Sequence, residues 1–307
     1  MAKETTGAGN LTKISWRWNN FFLLFLFVIG LVIVLPVVLV VIVSFSSANS
    51  IVYSGYTFFP SEWSLQAYEY LAKSGDQIID SYLITIFYSV AGTVMSLFVM
   101  TLYAYVISQR DLPLRRFLTW TLFFTMLFSG GLVPSYILYT QYLHIDNTIW
   151  VFLLPGLINA YNVIILRTFL KTSISEALFE SAKIDGAGHW TIYFRIVLPL
   201  YKAGLATIGL FNIVGRWNDW FTGMLYITKP KLVPLQTFLV NLQNNIDFLR
   251  NNSRLAMSHE GMALLRSMPT DNMRMACTLV VIFPMLFAYP FFQRYFITGL
   301  TIGSIKE

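Results

Sequence analysis

Apolar and polar residues alternate along this chain in long blocks, not at the short periods of a soluble fold. Residues 1–20 are polar and include Lys3, Lys13 and Arg17, and a charge-free run follows over 21–45. Further runs cover 81–109, 117–139, 148–166, 203–226 and 276–292; only the fifth contains charges, Arg216 and Asp219. Apolar runs of about 18 residues or more are long enough to cross the hydrocarbon core as helices. The pattern predicts an all-α polytopic membrane protein with six transmembrane helices in one domain over 21–307. A charged start before an apolar stretch also fits a secretory signal. The run is too long for a signal core and more spans follow, which favours an uncleaved first helix. Pro36 is a candidate kink. Ser129-Gly130-Gly131 and Pro134 interrupt the third span. They read either as a hinge or unwound turn or, as the slightly favoured alternative, as close helix packing through small residues.

Composition strengthens the membrane reading. Hydrophobic residues make up 56% of the chain and charged residues 12%, about half the charged share of a soluble domain. The net charge of +6 raises nucleic acid as a partner, but cytoplasmic loops of membrane proteins are enriched in Lys and Arg, so no nucleic acid is expected. With the amino terminus inside, the internal segments 1–20, 110–116, 167–202 and 293–307 hold most of the basic residues, and the short external loops hold only Lys73. Segment 229–274 carries Lys229, Lys231, Arg250, Arg254, Arg266 and Arg274 against this trend. Long loops translocate largely regardless of charge, so both termini are assigned to the cytoplasm and 229–274 to the far side. The lone Cys277 permits no internal disulfide and reads as a packing residue. His189 and His259 lack ligand spacing, so no metal is assigned.

The most informative polar segment, 171–199, lies between the fourth and fifth runs. Ser175 is a candidate N-cap with Glu176 in the first turn, where the helix dipole favours negative charge. Ala177, Glu180, Ser181 and Ile184 fall on one helical face. Small side chains at 177, 181 and 182 allow a partner's backbone close approach. Gly186 and Gly188 can supply the positive φ that ends a helix. Trp190–Val197 predicts a second short helix, and Pro199 opens the next span. The bland alternative is an interfacial helix resting on lipid headgroups. Carboxylates at 176 and 180 argue mildly for a basic protein partner instead.

The run Glu180-Ser181-Ala182, Ile184-Asp185-Gly186-Ala187, Ile196 and Leu198-Pro199 resembles the EAA loop of permease subunits of binding-protein-dependent ABC importers. Ser181 stands where Ala is more usual and keeps the side chain small. The Asp-Gly-Ala spacing resembles the carbohydrate, maltose-permease-like branch. Asp146–Trp150 with Pro155, Arg216–Trp220 and Gln293–Thr301 agree with it, and the length and tail resemble the LplC/YtcP-like sub-branch. The resemblance covers nearly all of 20–307. It implies a type I importer permease that is not an enzyme, with Glu180, Ser181, Ala182, Asp185, Gly186, Ile196, Leu198 and Pro199 coupling to separate ATPase subunits. It implies no cofactor on this chain, ATP and Mg being bound by the ATPase. It also implies a second, non-identical permease chain, an extracytoplasmic solute-binding protein facing 229–274, and an oligosaccharide substrate in the bacterial cell membrane.

Arg216 lies 14 residues beyond Lys202, roughly 21 Å along a helix and well inside a bilayer. Charges there face a bundle interior or a water-filled path. Arg216, Trp217, Asn218, Asp219 and Trp220 therefore line a sugar path on one reading. On the other, Arg216 and Asp219 form an internal i,i+3 ion pair. The two readings carry equal weight. No G-x-x-x-x-G-K-[ST] phosphate loop occurs, so ATP binds elsewhere, and no nucleophile–base cluster suggests an enzyme. Two rivals remain: an importer of amino acids or peptides, and a stand-alone carrier. A carrier has no need of a docking loop.

Overall fold

The structure, a computed structural model, describes residues 15–73, 75–109, 111–251 and 271–304. It is helical throughout: among the described residues only an isolated bridge, Ser46 with Trp63, is of β type. The chain divides into two compact units, residues 1–70 with 268–279 and residues 71–267 with 280–307.

In the first unit, α1 (Trp16–Ser44) is a single helix through Pro36 and is exposed over most of its length. A polar clasp closes its end. Ser64 N–H donates to the Phe45 carbonyl at 2.7 Å, and Ser47 Oγ donates to Glu62 at 2.8 Å. Asn272 Nδ2 donates to the Ser46 carbonyl at 3.0 Å. Two short helices, α2 (Ala48–Ser54) and α3 (Gln66–Lys73), flank the clasp, and Tyr68 of α3 stacks on Phe45 at 4.8 Å. The polar stretch after the first run is thus an ordered cap on α1.

The second unit is built on α4 (Gly75–Ser108), whose 34 residues span roughly 50 Å against a hydrocarbon core of about 30 Å. That excess explains why it begins six residues before the predicted span and includes Asp76 and Asp80: hydropathy detects only the apolar stretch. α8 (Ala160–Ser173) and α12 (Lys202–Trp217) pack along it. Met100, Ala104 and Ile107 of α4, Leu166 and Leu170 of α8, and Ile208 of α12 share one buried cluster. α8 continues past the predicted end at 166, with Lys171 in its last turn, where a cation suits the helix dipole.

Three predicted spans are interrupted. The third divides into α5 (Arg115–Leu127) and α6 (Leu132–Ile137, continued by a π-turn to Tyr142), bent by 115°. Gly131 has φ 81°; a Cβ there would meet nothing within 4 Å, and one on Gly130 only Pro134 at 3.9 Å. The favoured close-packing reading is therefore corrected: the glycines serve a turn. The fourth run contains α7 (Trp150–Leu153), a break with Gly156 at φ 73°, and α8, whose first turn is capped by Asn159 accepting from Asn162 N–H at 3.0 Å. The fifth run breaks after Trp217 and resumes as α13 (Phe221–Tyr226). Apolar residues on both sides of each break keep the hydropathy signal continuous. Among the described residues two helices, Trp16–Ser44 and Gly75–Ser108, are long and apolar enough by themselves to cross a membrane, and up to four spans result if each bent pair, Arg115–Leu127 with Leu132–Tyr142 and His189–Leu200 with Gly204–Trp217, counts as one. After a 3-10 turn at Pro230–Leu232 come α14 (Leu235–Asn251) and α15 (Asp271–Ser304), the latter absorbing both the sixth run and most of the predicted tail.

Candidate functional site

The 171–199 segment folds as a helix–turn–helix. α9 (Glu176–Ile184) starts after Ser175, whose backbone is extended but whose side chain makes no capping bond, contrary to expectation. It ends in a complete Schellman turn. Gly186, at φ 78°, donates to the Lys183 carbonyl at 3.0 Å, and Ala187 N–H donates to the Ala182 carbonyl at 2.9 Å. These bonds satisfy carbonyls that the helix end leaves open. Gly188 has φ −70°, so only one of the two predicted glycines supplies the positive φ.

The second helix is α10 (His189–Ile192), followed by a π-turn over Tyr193–Val197 and by α11 (Leu198–Leu200). Pro199 explains the wide turn. It has no N–H for the Arg195 carbonyl, and the ladder shifts so that Leu198 N–H reaches back to Tyr193.

The segment has two faces. Ala182, Ile192, Tyr193 and Val197 are buried in the α4–α8 cluster, with Ile196 and Leu198 packed against it. Tyr193 shares a hydroxyl bond with Thr101 at 2.7 Å, Tyr201 OH donates to the Leu166 carbonyl, and Tyr105 OH contacts His189 Nδ1 at 3.2 Å. Ala182 therefore serves this chain's own packing and is not open to a partner's backbone. The outer face holds Ala177, Glu180, Ser181, Ile184, Asp185, Gly186 and Pro199, all exposed, with Ile184 at 85%. Lys183 pairs with Asp111 at 2.9 Å, tying α9 to the loop after α4. That pair was not foreseen, and nothing in spacing could have revealed it. Glu180 forms no ion pair or hydrogen bond among the described residues and lines an open groove of about 420 Å³ with Ser108, Phe179 and Lys183.

A second cleft, also about 420 Å³, is lined by Tyr88, Phe152, Asn159, Asn162, Phe211, Asn212, Arg216, Asp219 and Thr222. Arg216 sits in the last turn of α12, and Asn218 caps that helix. Asp219 is past the helix, so the i,i+3 premise fails and no Arg216–Asp219 ion pair forms among the described residues. The guanidinium instead donates Nη1 to the Phe152 carbonyl at 2.6 Å and Nη2 to Ser96 Oγ at 2.9 Å. It lies against Gly92, where a Cβ would fall 2.6 Å from Nη1. Tyr88 completes the joint, donating to the Arg216 carbonyl at 2.8 Å and stacking on Phe152 at 4.6 Å. Asp219 Oδ1 caps α13 through Thr222 N–H at 3.0 Å.

The remaining path candidates separate. Trp217 turns away from the cleft, buried, with its indole N–H on the Val281 carbonyl at 3.2 Å. Asn218 bonds the Val214 carbonyl and accepts from Gln236 at 3.1 Å. Trp220 packs edge-on to Phe221 at 5.7 Å. The asparagines at 159, 162 and 212 were not anticipated.

Asn147 is a further unforeseen joint. At φ 52°, its Oδ1 accepts from Thr228 N–H at 2.6 Å, Thr228 Oγ1 at 2.9 Å and Lys229 N–H at 3.2 Å. It staples the loop before α7 to the chain leaving α13. Among the described residues no group of His, Cys, Asp or Glu is arranged to hold a metal.

Comparison with known proteins agrees with this architecture. The profile of the family described as "binding-protein-dependent transport system inner membrane component" matches residues 113–302. The chain is 38% identical to the polygalacturonan/rhamnogalacturonan transport system permease protein YtcP of Bacillus subtilis, covering 92% of this chain and 96% of that one. It is 34% identical to Protein LplC of the same organism, covering 92% and 93%. A crystal structure of a bacterial ABC transporter involved in the import of the acidic polysaccharide alginate superposes with a TM-score of 0.78 at 29% identity, over 93% of this chain and 100% of that one. The chain therefore belongs to the binding-protein-dependent transport system inner membrane components, a family of multi-pass transport subunits and not of enzymes.

Proposed function

We propose that this chain is a transmembrane permease subunit of an ATP-driven importer of sugars, with complex oligosaccharides as substrates. The single observation that carries the coupling part is the two-faced 176–199 segment. Its inner face is anchored in the core of α4 and α8, and its outer face leaves Glu180 free of partners among the described residues beside an open groove. A short helix closed by a glycine turn and backed by a packed core transmits displacement with little loss. Glu180 pairs with a basic group of an ATPase subunit, a contact whose truncation typically costs about 2–5 kcal/mol.

The sugar assignment is supported by the names of the relatives, which include transporters of polygalacturonan and alginate. Asn159, Asn162, Asn212, Asp219 and Thr222 offer the amides, carboxylate and hydroxyl that bond sugar hydroxyls, and Phe211 offers a face for a sugar ring. In this arrangement the chain crosses the membrane six times with both termini cytoplasmic and 229–274 outside. It works with two ATPase subunits that bind ATP and Mg, a second, non-identical permease and an extracytoplasmic solute-binding protein.

The test is ATPase activity of the purified assembly in lipid, with binding protein and a panel of oligogalacturonides, neutral oligosaccharides, amino acids and peptides. Stimulation by one saccharide class in the wild type, lost in Glu180→Lys, supports the proposal and names the substrate. Normal coupling in Glu180→Lys removes the docking role. Stimulation by amino acids or peptides alone removes the sugar assignment.

A further inference from the structure

Three arginines converge where α5 begins. Arg115 and Arg116 occupy its first turn, and Arg167 comes from α8; together they line a cavity of about 380 Å³ with Thr119 and Trp120. No acidic side chain lines that cavity, and none occupies the first turn of α5. The N-cap residue is Leu114, which offers no side-chain acceptor; Arg115 N–H turns back onto the Leu112 carbonyl at 3.1 Å, while the N–H groups of Arg116 and Phe117 have no hydrogen-bond partner among the described residues. Arg167 Nε is buried without a hydrogen-bond partner, and none of the three guanidiniums forms an ion pair among the described residues. Basic residues are at their least favourable at the positive end of a helix, and like charges around one cavity repel further. An arrangement that collects three cations, open backbone donors and an orphaned buried donor is complementary to one chemistry, a phosphoryl anion.

We propose that this cavity binds the headgroup phosphate of an anionic phospholipid. The surroundings select lipid over a soluble anion. From Phe117 onward α5 presents Phe117, Trp120, Phe124 and Leu127, each more than 60% exposed. Trp120 lies one turn after Arg116, where an indole suits the boundary between headgroups and acyl chains. A lipid seated with its phosphate on the arginines would lay its acyl chains along that apolar face. Basic pockets between membrane helices recognise acidic headgroups in this manner. The proposal needs α5 to enter the bilayer and does not depend on the docking role of Glu180.

The test compares the full chain, purified with the subunits that accompany it, from vesicles of phosphatidylcholine with and without phosphatidylglycerol. Native mass spectrometry reads retained lipid, and thermal unfolding reads stability. The wild type retains phosphatidylglycerol over phosphatidylcholine, and the Arg115→Gln/Arg167→Gln variant loses that preference by a factor on the order of 30. In phosphatidylcholine alone the variant unfolds no earlier than the wild type, because it has lost only repulsion; a merely structural role for the arginines would lower its midpoint there. Undiminished phosphatidylglycerol retention by the variant overturns the proposal. So does an equal loss in Lys202→Gln, which would mark a general surface-charge effect. A midpoint raised by inorganic phosphate alone, with no further gain from phosphatidylglycerol, reassigns the site to a free anion. Loss of a protein subunit from the variant at unchanged lipid retention reassigns it to an acidic protein partner.

Discussion

Gly92→Ala tests the joint at Arg216 most directly. An ideal Cβ at residue 92 lies 2.6 Å from Nη1, 2.7 Å from Cζ and 2.9 Å from Nε of Arg216, all closer than atoms tolerate. The α4 backbone is pinned by packing on α8 and α12, so the guanidinium must move, and moving it lengthens the bonds to the Phe152 carbonyl and Ser96 Oγ. Hydrogen bonds to a charged group are worth about 1.5–3 kcal/mol each. Water in the adjoining cleft restores part of that, which leaves a loss of about 2–4 kcal/mol. Alanine in mid-helix gains about 0.5–1 kcal/mol over glycine, so the net destabilisation is about 1–3.5 kcal/mol. For a chain of this size that lowers the thermal midpoint by roughly 2–5 °C. Thermal unfolding in reconstituted lipid, in the wild-type and Arg216→Gln backgrounds, gives the coupling. With the long guanidinium gone, Gly92→Ala is neutral or stabilising. An equal loss in both backgrounds would refute the reasoning, because the cost would then not pass through Arg216.

Two further outcomes follow from backbone geometry. Gly186→Ala places a Cβ in the left-handed region at φ 78° and costs about 1–2 kcal/mol, whereas Gly188→Ala, at φ −70° with open space around it, leaves the thermal midpoint unchanged. Asn147→Ala loses the acceptor shared by Thr228 and Lys229 and strains φ 52°, while Asn147→Gly loses only the acceptor. Stability falls in the order Asn, Gly, Ala, and amide exchange at Thr228 and Lys229 accelerates in both variants.

The 176–199 helix–turn–helix was legible because its signals are local. A glycine four residues after a small residue, a carboxylate in the first helical turn and a proline at the re-entry all act within one or two turns of their position. The breaks at Gly156 and Asn218 were not legible, because hydropathy averages over a window and the apolar residues flanking each break keep that average high. The ion-pair reading of Arg216 failed for the same reason, since i,i+3 proximity assumes a helix that in fact ends at Trp217. Its true partners come from α4 and α7, more than 60 residues away in sequence. One trace of them was present: Ser81, Thr85, Ser89, Gly92 and Ser96 recur at helical spacing in an otherwise apolar run. All but Gly92 are small hydroxyl residues, and the stripe marks the face of α4 that meets polar neighbours.

The sharp turn between α5 and α6 bears on biogenesis. Phe128 leaves α5 in an extended conformation, α6 opens without a side-chain cap, and residues 128–132 are exposed on this chain. Acyl chains offer no hydrogen bonds, so a turn of this kind is tolerated at membrane depth only where protein or trapped water covers it. Where that turn lies at membrane depth, the subunit made alone would leave it uncovered. Production of this chain should accordingly be matched to that of its companion, with the unpaired copy short-lived and the assembled one durable.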